Sequence, residues 1–349
     1  MNPYESVPPR GFWRTAVADK NMLDISGLWV PKFRVAQDSR VSTYGSCFAQ
    51  HIGRALAARG FSWFRPEERP FGLSDDNAAK FNYDVFSSRT GNIYTATLLL
   101  QWLKWAFGGA KMPDEVWEKD GRWFDPFRPN VEPGGFASKD ELLQARAVTL
   151  EAFRRSVAEA DVFVFTLGLT EQWLNKAEGY EYPMCPGTVA GTFDPQVHQF
   201  NNLVFGGVQS ALQDALKRMT TVNPGLKVIF TVSPVPLTAT KSGKHVLVAT
   251  MQSKSILRAV AGQMADRRSY VDYFPSYEII NSAPFKGAFF EPNQRNVAMP
   301  GVRFVMDTFF GSQAETFGVR GQPAGRAALN SQADLVCEEE ILAKFGGQK

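Results

Sequence analysis

Four short runs rich in β-branched and aromatic residues, 41–44, 161–166, 227–232 and 269–273, punctuate the chain, and stretches with helical periodicity lie between them. The first three runs stop abruptly at Gly45-Ser46, Gly168-Leu169-Thr170 and Ser233-Pro234-Val235-Pro236. Breaks of this kind mark the C-terminal ends of strands in an open α/β sheet, where loops gather functional groups. The repeated strand-then-helix order predicts an α/β fold with a doubly wound parallel sheet. Phe48, Ile52, Ala55 and Leu56 share one helical face after Ser46. Ser138 and Glu141 form a capping box ahead of a periodic run to 160. Further helices are expected over 203–219, 253–264, 300–309 and 333–345.

Two stretches break this rhythm. Residues 111–135 carry four prolines among Trp117, Trp123, Phe124 and Phe127, and 179–202 gather Gly, Pro and aromatic residues. Ordered insertions of this length are usually lids or binding loops. The chain therefore divides into an N-terminal extension (1–37), an α/β domain (38–311) with insertions at 111–135 and 179–202, and a C-terminal loop and helix (312–349). Residues 311–332 are rich in Gly, Ala and Gln and read as a loop, a linker or an interface arm.

Charge argues for no nucleic-acid partner: 38 basic against 35 acidic residues leave a net charge of +3, too small to point to partners whose binders carry clustered basic faces. No segment reaches the ~18 apolar residues of a membrane span. Residues 1–17 lack the apolar stretch of a secretory signal, so a cytoplasmic location is expected. Cys47, Cys185 and Cys337 are odd in number and widely spaced, which fits neither a disulfide framework nor a metal site. No zinc-ligand spacing or phosphate-binding Gly-rich loop occurs, and no cofactor is expected.

At Val41-Ser42-Thr43-Tyr44-Gly45-Ser46 an extended run turns at a glycine and a serine opens a helix. A hydroxyl there sits beside free N–H groups and the positive end of the helix dipole, which favour a developing oxyanion. Ser46 is a candidate nucleophile on this ground, although spacing alone favours a plain N-cap. Cys47 reads as a small buried packing residue, with a thiolate nucleophile as the alternative.

Gly45-Ser46-Cys47-Phe48-Ala49, continuing as Gln50-His51-Ile52-Gly53, resembles the signature of the GSCFA family, which is placed with the SGNH (GDSL-like) hydrolases. Gly91-Asn92-Ile93-Tyr94-Thr95, Thr166 to Trp173, Thr231-Val232-Ser233-Pro234-Val235, Ser253-Lys254-Ser255 and Tyr273-Phe274-Pro275-Ser276-Tyr277-Glu278 extend the likeness. The resemblance implies a flavodoxin-like fold of SGNH-hydrolase type and gives Ser46 the nucleophile's place. It implies an oxyanion hole from the Ser46 N–H, a glycine and an asparagine. Thr170 stands where that asparagine is expected after Gly168, so Gly91 and Asn92 are the substitutes, unless they only form a turn.

The superfamily's Asp-x-x-His stretch reads here Phe290-Glu291-Pro292-Asn293-Gln294-Arg295-Asn296-Val297, with Asn293 and Asn296 in place of both residues. Neither can act as a base. His198, His245 and His51 are the candidates for that role, in this order, with Glu171 or Asp194 as acidic partner. Glu278 and Glu291 are weaker acidic candidates. The implied activity is that of a serine esterase or O-acyltransferase on an acylated, most simply O-acetylated, saccharide, and Trp117, Trp123, Asn293 and Asn296 are expected to bind substrate. The alternative is a non-catalytic saccharide-binding or scaffold protein on the same fold.

Overall fold

The computed structural model describes residues 2–321 and 338–346. Strand β1 (Val41–Gly45) leads through Ser46 into α1 (Ala49–Ala58). Helices α2 (Asp75–Lys80) and α3 (Ala96–Ala106) follow, then a hairpin of β2 (Trp117–Lys119) and β3 (Arg122–Phe124), and α4 (Lys139–Ala158). After β4 (Val162–Leu167) come β5 (Glu171–Asn175), β6 (Glu181–Tyr182), β7 (His198–Asn202) and α5 (Phe205–Val222). Then follow β8 (Lys227–Val232), α6 (Val246–Asp266), β9 (Val271–Tyr273), α7 (Ser276–Asn281) and α8 (Met299–Phe317).

The central sheet is parallel, in the order β1-β4-β8-β9. Beyond β1, Trp63 adds a single parallel bridge to Val41, held by Val41 N–H on Ser62 O and Phe64 N–H on Val41 O, both at 2.9 Å. This stub makes β1 internal, and the chain winds away from it in both directions, as in a doubly wound sheet. In such sheets ligands bind at the C-terminal ends of the two strands flanking the reversal, which here are β1 and β4.

Both faces of the sheet are covered. In β4, Phe163 and Phe165 point to a core with Trp102, Phe153, Leu212 and Leu257, while Val162 and Val164 point to one with Ile52, Leu56, Val305 and Phe309. All six residues of β4 are buried, as expected of a strand sandwiched between helix layers.

The serine half of the capping box forms, with Glu141 N–H donating to Ser138 Oγ at 3.1 Å, while the Glu141 carboxylate accepts from Ala137 N–H, one residue before the cap, at 2.8 Å. Helix α6 begins seven residues before the expected 253, and α8 runs on to Phe317. Gly311 is therefore helical, not the start of a loop. Of the expected helix 333–345, residues 333–337 lie outside the described residues, and Glu338–Phe345 is a 3-10 helix.

The first insertion is fastened, not free. Asp125, wholly buried, accepts from Arg128 at 2.8 Å and from Arg146 of α4 at 2.9 Å. Burial would raise its carboxyl, but the two guanidinium groups outweigh it and hold the carboxyl below its usual range. Trp117 is buried against Tyr182, its ring nitrogen donating to Glu115, and Trp123 is half-buried beside Val131, Phe136 and Leu142. Trp117 is thus a packing residue in this fold, which speaks against it as a substrate-binding ring, while Trp123 keeps part of its ring accessible.

The second insertion starts earlier than the expected 179: with β5 it forms a three-stranded antiparallel sheet, β6-β5-β7, that grows directly from the end of β4. Glu181 ties it to the body by accepting from Thr95 and Thr97 at the start of α3 and from Gln172 at 2.9 Å. Burial pushes its carboxyl up to about 7, against the pull of these three donors.

Candidate active site

Strand β1 ends at Gly45 with φ of 130°, and a Cβ there would stand 2.2 Å from Thr166 O. Only glycine lets the end of β1 lie this close to β4. Ser46 follows, 2% exposed, its N–H donating to Thr166 O at 3.0 Å and its carbonyl accepting from Ala49 N–H at 2.9 Å. Its hydroxyl is buried and has no hydrogen-bond partner. The hydroxyl accepts no N–H from the turn that follows, so Ser46 is not a side-chain cap of α1. A buried hydroxyl left without a partner costs roughly 1–3 kcal/mol, which makes this serine an exception to be explained.

Residues 87–94 run beside β1, with Ser87 N–H on Thr43 O at 3.2 Å and Ile93 N–H on Gly45 O at 2.9 Å. This register sets buried Asn92 beside the Gly45-Ser46 strand end, after a turn in which Gly91 has φ of 67°. From the β4 side, Gly168 and Leu169 both donate N–H to Tyr94 O, at 2.9 and 3.2 Å. A Cβ on Gly168 would lie 3.0 Å from Tyr94 Cδ1 and 3.2 Å from Ser46 Cβ.

The oxyanion hole implied by the sequence is not open in this arrangement. The N–H groups of Ser46 and Gly168 are bonded as above, and that of Thr170 donates to Ser253 Oγ at 3.0 Å. The Thr170 hydroxyl donates to Asn202 at 2.6 Å. Thr170 thus fastens the end of β4 to α6 and β7.

None of the three histidines is brought to Ser46. His198 lies in β7, its Nδ1 accepting from Asp194 N–H at 3.0 Å and its ring against Tyr182 and Phe193. His245 is exposed and caps α6 by accepting from Leu247 N–H at 3.2 Å. His51 packs edge-on against Phe48, and burial, helped by Arg54, pushes it down to about 3, so it is neutral. Asn293 and Asn296 likewise serve the local chain: Asn293 Oδ1 accepts from the backbone N–H of Arg295 and Asn296, and Asn296 Oδ1 from Arg295 Nη1.

What the fold does assemble is a cavity of about 690 Å³ at this edge of the sheet. Its walls include Tyr94, Leu169, Trp173, Phe193 and Leu237, with residues 183–193 forming one side and Glu339, Leu342 and Phe345 another. Glu171 faces it, accepting from Thr240 Oγ1 and from Lys241 N–H at 3.3 Å, and burial raises its carboxyl. Cys185 also borders it as a thiol that burial pushes up to about 11. Ser46 is not among the residues that line the cavity, whereas Tyr94 and Leu169, which bracket Gly168, are.

One group the sequence reading left without a role stands here. Lys254 of α6 is 2% exposed and donates from Nζ to Gly168 O at 2.6 Å, on the residue that abuts Ser46. Its only sequence signal was the Ser253-Lys254-Ser255 block.

The model of the GSCFA family matches residues 40–309. The chain belongs to the GSCFA family. The GSCFA match begins at the foot of β1 and ends within α8, so it contains Ser46, Asn92, Gly168, Lys254 and the whole central sheet, whereas 338–346 lie beyond it. No curated protein and no solved structure matches the chain. Among the described residues no helix is long and apolar enough to cross a membrane.

Proposed function

We propose that this GSCFA chain is a serine acyl-transfer enzyme of SGNH type, an esterase or O-acyltransferase, with Ser46 as nucleophile and Lys254 as base. The observation that carries this reading is the Ser46 hydroxyl, buried without a partner where β1 turns into α1 at the switch point of the sheet. A serine paired with a lysine is a known alternative to serine with histidine, and the three histidines are engaged elsewhere. In this scheme Lys254, acting once it has given up a proton and turned its Nζ from Gly168 O towards Ser46 Oγ, takes the proton as Ser46 Oγ attacks the ester carbonyl, then returns it to the departing alcohol oxygen. Water or a sugar hydroxyl resolves the acyl-enzyme by the reverse sequence. Tyr94 must move aside for the ester to reach Ser46, and its movement would also free the Gly168 N–H that its carbonyl now holds. The family resemblance supports an acylated saccharide as substrate, with Tyr94, Trp173 and Phe193 in place of Trp117 and Trp123 as the rings that line its pocket.

The bonded state of the Ser46, Gly168 and Thr170 N–H groups favours a second reading, a non-catalytic cavity that binds a saccharide. A fluorophosphonate probe separates the two. Labelling of the folded chain at Ser46, absent in Ser46→Ala and strongly slowed in Lys254→Met, supports the enzyme. A chain that does not label supports the binding protein, and equal labelling of Lys254→Met removes the lysine from the mechanism.

A further inference from the structure

The C-terminal 3-10 helix, Glu338–Phe345, lies outside the family match yet forms part of the cavity wall. With three residues per turn, Glu339, Leu342 and Phe345 follow one another on a single face, and these are the three of its residues that line the cavity. At the inner end, Glu339 Oε2 stands 3.6 Å from Arg295 Nη2, while Glu340 Oε1 stands 3.4 Å from Arg295 Nη1. At the outer end Lys344 Nζ donates to Thr188 O at 2.9 Å, and Phe345 is more than half exposed.

Arg295 belongs to the stretch that the family resemblance equates with Asp-x-x-His, directly before Asn296, which stands in the place of the expected base. The turn closed by Asn293 and Asn296 sets this guanidinium in place. The carboxyl it holds is not at ease: burial raises Glu339, as do Glu171 and Glu340 nearby, against the opposing pull of Arg295 and Lys254. A ligand carboxylate that met Arg295 without a second carboxylate beside it would escape part of that repulsion. A planar guanidinium is also well suited to carboxylate.

We propose that Arg295 is a carboxylate subsite of the cavity, and that Glu339 occupies it as an internal substitute for the ligand's own carboxylate, with Leu342 and Phe345 filling the room of the ligand's body. The proposal rests on the cavity being the substrate pocket, and it narrows that substrate to an acidic saccharide, such as one containing hexuronate. The C-terminal helix then competes with the substrate.

Calorimetric titration with trigalacturonate, and with neutral maltotriose as control, tests this without requiring turnover. A chain ending at residue 337 is expected to bind trigalacturonate at least tenfold more tightly than the full chain, and Arg295→Gln in the shortened chain should abolish the gain. Maltotriose affinity should change less than threefold. Glu339→Gln in the full chain, which keeps its length, should tighten trigalacturonate binding at least threefold, and this variant decides the matter if the shortened chain does not fold. Equal affinities for full chain, shortened chain and Glu339→Gln overturn the proposal. So does an equal gain for both sugars, which would make the helix a cover with no subsite beneath it. Because the readout is binding, a chain that resists the fluorophosphonate can still pass this test, and one that labels can still fail it.

Discussion

Ser46 and Gly168 meet at the ends of two neighbouring strands: a Cβ on the glycine would lie 3.2 Å from that of Ser46 and 3.0 Å from Tyr94 Cδ1, so a side chain there requires these neighbours to give way. The contact joins the turn that presents the candidate nucleophile to the carbonyl that holds Lys254. Gly168→Ala should therefore destabilise the fold by about 1–3 kcal/mol through overpacking. It should also lower the rate of fluorophosphonate labelling at Ser46 by more than the stability change explains. Denaturant midpoints and labelling kinetics on the same preparation check both, and unchanged labelling would mean that the serine is insensitive to this wall.

Ser46→Ala distinguishes a functional serine from a structural one by its effect on stability. Since the hydroxyl is buried and bonded to nothing, its removal should leave stability unchanged or raise it by about 1 kcal/mol. Loss of an N-cap serine would instead cost typically about 1 kcal/mol. A lowered melting temperature in Ser46→Ala would assign the hydroxyl a structural partner.

Much of the sheet was legible in the chain because strand runs such as 161–166 are buried on both sides and end in glycine or proline, a pattern imposed by backbone geometry. The three-stranded insertion sheet was not. Its strands are short and mixed in character, and β5 begins only three residues after β4 ends, so periodicity has nothing to measure. The serine was legible from its turn, whereas Lys254 was hidden: a lysine on an amphipathic helix ordinarily reads as a solvated face, and only the packing of α6 on the end of β4 buries it. Arg295 and the C-terminal helix meet through contacts across more than forty residues, which no local pattern encodes.

Glu181 sets a pH dependence of stability. Its carboxyl is held near 7 in the folded chain by burial, above the ordinary 4.5. The folded state therefore binds the proton more tightly than the unfolded one. Its favourable contribution is complete below about 4.5 and is lost as pH rises through 7. A shift of this size corresponds to roughly 3 kcal/mol. Glu181→Gln should flatten this part of the profile, and the variant should be the more stable protein at pH 8. Urea midpoints at pH 5, 7 and 8 measure it, and a parallel profile for the two proteins would remove Glu181 as the cause.

Trp117→Ala should behave as a core mutation. The ring is buried against Tyr182 and close to Gly191, so truncation should cost about 3–5 kcal/mol, and binding of neutral and acidic sugars should fall together with the melting temperature. Calorimetry on the variant at 15 °C and at 25 °C checks this. A selective loss of glycan binding at unchanged stability would restore the ring as a binding platform.

The buried Asp125, Arg128 and Arg146 cluster has a consequence for how relatives of this chain can diverge. Excising or exchanging the first insertion would strand Arg146 of α4 in the interior without its carboxylate, so that segment cannot be traded between homologues as a cassette. Residues 183–193 carry nearly half of the cavity wall and no such buried ion cluster among the described residues. Changes in ligand preference during evolution should accumulate there, and grafting this stretch from one family member to another is the simplest way to transfer selectivity.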